Sequence, residues 1–253
     1  MTHEPTANPT AAILIIGNEI LSGRTQDLNV QFIAARLARL GIRLDEVRVV
    51  PDIPERIIGG VNVLRAAYDM LFTTGGIGPT HDDITSECIA AAFGVPWLPH
   101  EPSMQVLRDY LGAHMNAEQG RMATFPQGAV PIRNDVSVAP GFSIGNVHVM
   151  AGVPRIMQAM FLALEAKLPR GTPIAMRAVY GMGVMEGNIA AGLSAIQARF
   201  TDADLGSYPF QRDGRWGVAI VAKGTDVARL EAAITEATAM IAAQGVAPIQ
   251  GEP

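Results

Sequence analysis

The chain has 253 residues, a formal charge of −5 and a single cysteine. That length suits one large domain, or a main domain with a smaller partner, and is ample for a buried core. The acidic balance excludes a broad electropositive surface for nucleic acid, so any anionic ligand must be held locally. The lone Cys88 excludes an internal disulfide framework and a cysteine metal spacing, and the polar start MTHEPTANPT excludes a signal peptide. No apolar run reaches membrane-spanning length, so a cytoplasmic protein without a membrane partner is expected.

Residues 1–10 read as a flexible N-terminus. AAILIIG (11–17) is a short β-branched run, the pattern of a strand buried on both faces. Over 29–40, Ile33, Leu37 and Leu40 share a helical face, with Gly41 as the stop. IRLDEVRVV (42–50) is the next strand. Asp52, Pro54 and Glu55 make a helix-start signature, continued at helical spacing by Ile57, Val61, Leu64 and Tyr68. MLFTT (70–74) is a third strand, and Ile84, Cys88 and Ala92 before Gly94 predict a third helix. Repeated strand–helix units imply a parallel sheet covered on both faces.

Met104, Leu107 and Leu111 predict a further helix, and 128–152 short strands that include a hairpin turning at Gly145-Asn146. Pro154 starts a helix carrying Met157, Met160 and Leu164, a pattern of packing. LPRGTP (168–173) reads as a linker to a smaller unit: strand 174–180, helix 188–199, strands 203–208 and 216–222, helix 225–243. GMGVMEG (181–187) lacks the third glycine of a dinucleotide fingerprint and is read as a strand-to-helix turn, and Tyr208 and Phe210 of YPF are read as core.

The stretch TTGGIGPTHDDITSE (73–87) carries more chemistry than a turn needs. It leaves the carboxyl end of a parallel strand, where ligands of open α/β sheets bind. Gly75, Gly76 and Gly78 allow close backbone approach and aim N–H groups at phosphate. Two acids beside an anion repel it unless a divalent cation lies between, so Asp82 and Asp83 point to Mg²⁺ or a similar hard ion. Thr80 and Thr85 offer hydroxyl contacts, and His81 a proton for a leaving group. The bland alternative is that Thr80 and Asp83 form a capping pair at a helix start. No Gly-Lys-Ser/Thr follows, so this is not a Walker A loop. On this reading, valine at Gly76 abolishes anion binding without unfolding the chain.

GNEILSGRTQDLN (17–29) followed by TGGIGPTHDDIT (74–85) resembles the paired motifs of the CinA N-terminal domain, itself related to MoaB/MogA-type molybdopterin-binding domains. The resemblance continues through RMATFPQGAVPIRND and APGF (121–142), AGVP (151–154), GMGVMEGNIA (181–190) and GSYPF (206–210). It implies an α/β protein: a three-layer α/β/α domain with a mostly parallel sheet over 11–170, and a smaller α+β KH-like domain over 171–253. A homodimer or higher oligomer is implied as well. So is a pocket between the Glu19 and Gly75 loops, with catalytic Asp82, Asp83 and Glu19. Gly17, Asn29, Thr74, Gly75, Gly76, Gly78, Thr80, Gly152 and Pro154 would bind the ligand, and Asp82 and Asp83 the metal. The chain departs from the family at Ala151, where proline is common, and at Ile156, where a glutamate often follows the turn. The deamidase domain that follows in longer CinA proteins is expected to be absent.

Three functions follow from these readings. The first, implied by the CinA resemblance, is hydrolysis of a nucleotide diphosphate compound such as ADP-ribose, with Mg, Mn or Co. The second is molybdopterin binding or nucleotidyl transfer in molybdenum-cofactor biosynthesis. The third is a non-catalytic dimeric ligand sensor. All three take a small-molecule nucleotide or pterin ligand and no nucleic acid.

Overall fold

In a computed structural model that describes residues 7–253, the first strand, β1 (Thr10–Ile16), has every residue from Ala11 to Ile16 buried. Much of the expected flexible N-terminus, residues 1–6, lies outside the described residues. Successive side chains of a strand point to opposite faces. Ala11, Ile13 and Ile15 therefore enter one core cluster, and Ala12, Leu14 and Ile16 the other. This is why the run shows no alternation.

A single helical turn, α1 (Asn18–Leu21), precedes α2 (Asn29–Leu40), which buries Ile33, Leu37 and Leu40 and stops at Gly41 in the left-handed region, φ 71°. Each such side chain contributes roughly 2 kcal/mol on burial. Then come β2 (Arg43–Val50), α3 (Pro54–Ala67), the fully buried β3 (Met70–Thr74) and α4 (Thr85–Phe93). Asp52 does not cap α3 as the sequence suggested. The N-cap position is Ile53, without a side-chain bond, and the Asp52 carboxylate accepts from the Asn18 backbone N–H at 2.8 Å. The chain continues through β4 (Trp97–Pro99), α5 (Glu101–Leu111), α6 (Ala117–Gly120), β5 (Thr124–Pro126), β6 (Val130–Ile132), β7 (Gly141–Ile144), β8 (Val147–Met150) and α7 (Pro154–Glu165). The β7–β8 hairpin turns at Gly145, φ 55°, and Asn146 donates to the Arg65 and Tyr68 carbonyls at 2.9 and 3.1 Å.

The main sheet has the order β2-β1-β3-β8-β7-β6, parallel from β2 to β8 and antiparallel at β7 and β6. Helices α2 and α7 cover one face; α3 and α4 cover the other. Met157 and Met160 are core residues of the first layer. The expected three-layer arrangement with a mostly parallel sheet is what forms. Because β1 lies between β2 and β3, the chain leaves β1 to one side and β3 to the other. The carboxyl ends of β1 and β3 therefore bound a crevice.

The chain divides into two compact units between Gly171 and Thr172. The second contains β9 (Ala175–Met182), α8 (Glu186–Arg199), β10 (Asp204–Arg212), β11 (Arg215–Gly224), α9 (Val227–Ala242) and β12 (Ile249–Gln250). Its antiparallel sheet runs β10-β11-β9-β12. Val179, Val218 and Ile220 pack with Ile189 and Ile196 of α8 and Leu230, Ile234 and Ile241 of α9. Gly183, φ 84°, makes the strand-to-helix turn read from GMGVMEG. Tyr208 is not core but 58% exposed. β10 runs through Pro209 to Arg212, which its edge position allows, since an edge strand tolerates a missing donor.

Candidate functional site

Three turns meet beyond the carboxyl ends of β1, β3 and β8. Gly17 N–H donates to Val50 O at 3.1 Å, and Asp52 holds the next amide, so the turn carrying Glu19 is fixed to the end of β2. Gly75 N–H donates to Met150 O at 3.2 Å, and a Cβ on Gly152 would lie 3.3 Å from Gly75 Cα. Asn29, 4% exposed at the start of α2, donates through Nδ2 to Gly152 O at 2.8 Å. It thus positions the β8–α7 turn, and it does not line the cavity described below.

The glycine loop has its own internal requirements. Gly75 and Gly76 have φ of 102° and 66°, where other residues are strained. A Cβ on Gly75 would meet Ile16 O at 2.0 Å, and one on Gly76 would meet Thr85 Oγ1 at 2.3 Å. Thr85, fully buried in the first turn of α4, donates its hydroxyl to Gly75 O and its N–H to Gly76 O, both at 3.0 Å. Valine at Gly76 would therefore disturb the start of α4 as well as any ligand, a correction to the simpler expectation. Gly75 N–H is already committed to Met150. The N–H groups of Gly76, Ile77 and Gly78 have no protein acceptor among the described residues.

The two acids diverge. Asp83 is half-buried and its Oδ2 accepts from the Thr80 N–H at 2.8 Å and from the Thr80 hydroxyl. Its carboxylate lies so close over Gly78 that a Cβ there would meet Oδ2 at 2.6 Å. Helix α4 starts only at Thr85, with Ile84 as an N-cap lacking a side-chain bond, so the capping reading fails. The Thr80–Asp83 pair instead closes the loop on itself. Asp82 and His81 are exposed, and neither lines the cavity.

That cavity, about 620 Å³, is bounded by Glu19, Gly75, Gly76, Gly78 and Asp83 on its polar side, a size suited to a small-molecule ligand. Gly152 and Pro154 also line it; Gly17, Thr74 and Thr80 do not. Thr74 is 1% exposed, and its hydroxyl has no hydrogen-bond partner among the described residues. Leu107, Tyr110, Met122 and Val138 supply an apolar wall to which sequence reasoning gave no role, although Met122 and Val138 fall within the motif-rich 121–142 stretch. Ile156 and Met160 extend that wall, so the position where a family glutamate is common is apolar here. Arg121 packs over the Trp97 ring and donates to Asp83 O at 3.4 Å, steadying the loop from outside.

Among the described residues no three His, Cys, Asp or Glu side chains converge as a metal-holding group. Glu19 and Asp83 are nevertheless two carboxylates on one cavity, and Mg²⁺ is commonly held by one or two carboxylates with phosphate oxygens and water completing its shell.

A parallel-sheet switch point with loop amides free of acceptors among the described residues is the arrangement at which open α/β domains hold small anionic molecules. Residues 12–170 match the family described as "Probable molybdopterin binding domain", and residues 173–250 match "FAD synthase, middle domain" rather than a deamidase. A protein of Pyrobaculum calidifontis is 34% identical over 79% of this chain and 81% of its own length. A CinA-like protein of Anaeromyxobacter sp. (strain K) is 38% identical over 56% of this chain and 36% of its own length. The solved structure of the protein CinA with unknown function from Thermoplasma acidophilum is 32% identical, with a TM-score of 0.61, over 64% of this chain and 99% of that one. The chain belongs to the molybdopterin-binding-domain family, in its CinA N-terminal branch.

Proposed function

We propose that the first unit binds a nucleotide diphosphate compound, with ADP-ribose as the case to test, and hydrolyses it with a divalent cation. The observation that carries this is that Gly76, Ile77 and Gly78, whose N–H groups have no protein acceptor among the described residues, line the same cavity as Glu19 and Asp83. Such amides stabilise charge growing on phosphoryl oxygens. Asp83 would hold the cation, with Glu19 as the second carboxylate of the site. When bound, the cation supplies charge neutralisation and acidifies a water molecule. Glu19 would also accept the proton of the attacking water. The apolar wall of Leu107, Tyr110 and Met122 takes the base and ribose. Asp82 remains a candidate only through the family resemblance, acting from outside the lining.

Purified protein should release AMP from ADP-ribose with Mg²⁺, Mn²⁺ or Co²⁺, and chelation should stop it. No AMP release with any of the three would overturn the hydrolase reading. The family description favours a second reading, in which the same cradle binds molybdopterin and its phosphate. Molybdopterin binding or nucleotidyl transfer without ADP-ribose turnover would establish it, and binding of ADP-ribose without its turnover would establish a sensor. A homodimer or higher oligomer belongs to the proposal and is checked by light scattering. Nucleic acid does not, and salt-sensitive retention of an oligonucleotide would contradict that part.

A further inference from the structure

A second cavity, about 590 Å³, opens at the amino ends of β3 and β8, the opposite end of the sheet from the glycine loop. Its lining includes His148, Ser143, Leu168, Asp69, Arg133 and Lys167. His148 and Ser143 are directly opposed across the β7–β8 hairpin, with Ser143 Oγ 2.9 Å from His148 Nδ1. The imidazole packs against Phe72, tilted by 34° at 5.2 Å between centroids. Its Nε2 has no hydrogen-bond partner among the described residues, and burial pushes the pKa of the ring down to about 4. The ring is therefore a neutral hydrogen-bonding edge set in an apolar surface. A concave pocket of this size with a few convergent polar groups is of the kind that takes a small molecule.

The rim supplies the charge. Arg133 and Lys167 have no carboxylate partner among the described residues. Asp69 also lines the cavity, but its carboxylate is already engaged by the Thr10 N–H and hydroxyl, each at 2.8 Å. Two cations, one anion and a neutral imidazole leave one uncompensated positive charge. We propose that this cavity is a second binding site, for a small molecule with a planar apolar body and one carboxylate. The carboxylate would sit at Arg133 and Lys167, and the body against His148 and Leu168.

Protein labelled with ¹⁵N-histidine gives separate ring signals, and His148→Gln assigns the one that reports on this cavity. His81, exposed and outside the lining of either cavity, serves as the reference signal. Titration with 1-naphthoate should shift the His148 ring nitrogens saturably with a midpoint of about 1 mM or below. The uncharged 1-naphthamide should bind about tenfold more weakly, as should 1-naphthoate to the Arg133→Ala/Lys167→Ala variant, whose changes lie on exposed residues. Doubly charged 1-naphthyl phosphate should not exceed the carboxylate. Absence of a His148 shift up to about 10 mM would overturn the site, because even a weak fragment of this size registers there. Equal affinity for acid and amide, or tighter binding of the phosphate, would overturn the assignment of a monocarboxylate.

Discussion

Replacing Gly76 with alanine tests how the loop is held without assuming any ligand. The new Cβ would sit 2.3 Å from Thr85 Oγ1 and 3.3 Å from Thr85 Cβ. Thr85 cannot swing aside cheaply, being fully buried and β-branched in the first turn of α4. The backbone, at φ 66°, costs an L-residue about 1–2 kcal/mol. Displacing the Thr85 hydroxyl leaves the Gly75 carbonyl unpaired, about 1–3 kcal/mol more. A total of roughly 2–5 kcal/mol should lower the melting temperature by about 4–20 °C, at 2–4 °C per kcal/mol for a domain of this size. Calorimetry of the wild type, Gly76→Ala, Thr85→Ala and the double variant closes a mutant cycle. Because Thr85→Ala removes the clashing oxygen, the double variant should be more stable than the sum of the singles predicts, by about 1–3 kcal/mol. Strict additivity, or a Gly76→Ala melting point equal to the wild type, would refute the contact.

Asp83→Asn keeps an oxygen for the Thr80 N–H and hydroxyl but removes the charge, so it should cost no more than about 1 kcal/mol of stability while lowering metal-dependent ADP-ribose turnover by on the order of a hundredfold; unchanged turnover would remove Asp83 from the chemistry. Asn29→Ala should destabilise the first unit by about 1–3 kcal/mol by leaving Gly152 O unpaired, read by urea denaturation. His148 is neutral when folded down to about pH 4, against an ordinary 6.5. Its contribution is therefore complete above pH 6.5 and lost between 6.5 and about 4, at most about 3 kcal/mol. A His148→Gln variant should lack that part of the acid loss, and identical pH profiles would show that His148 does not titrate this way.

What the sequence revealed depended on how local the cause was. The buried strands β1 and β3 and the stops at Gly41 and Gly94 were readable because composition, period and left-handed glycines act within a few residues. Short elements such as α1, β4, β5 and β12 were not, since a two- to four-residue segment is specified by its partner in space. The glycine loop and its place at a strand end were likewise visible. Why each glycine is required was not, because the clashes come from Ile16 and Thr85. The acids show the same divide: adjacency suggested a joint role, yet Asp83 faces the cavity and Asp82 does not. Asp52 and Asn29 hold turns distant in sequence, so no local pattern could have assigned them.

The short β12 has a consequence for how this chain avoids associating wrongly with others. Ile249 and Gln250 pair with Tyr180 and Val179 of β9, and Gly251 N–H donates to Ala178 O at 2.9 Å. That side of β9 would otherwise present a row of unpaired amides and carbonyls beside Tyr180, a template on which another chain could add a strand. Three residues thus act as a guard on a sheet edge, and their loss would be felt first as aggregation of otherwise folded protein.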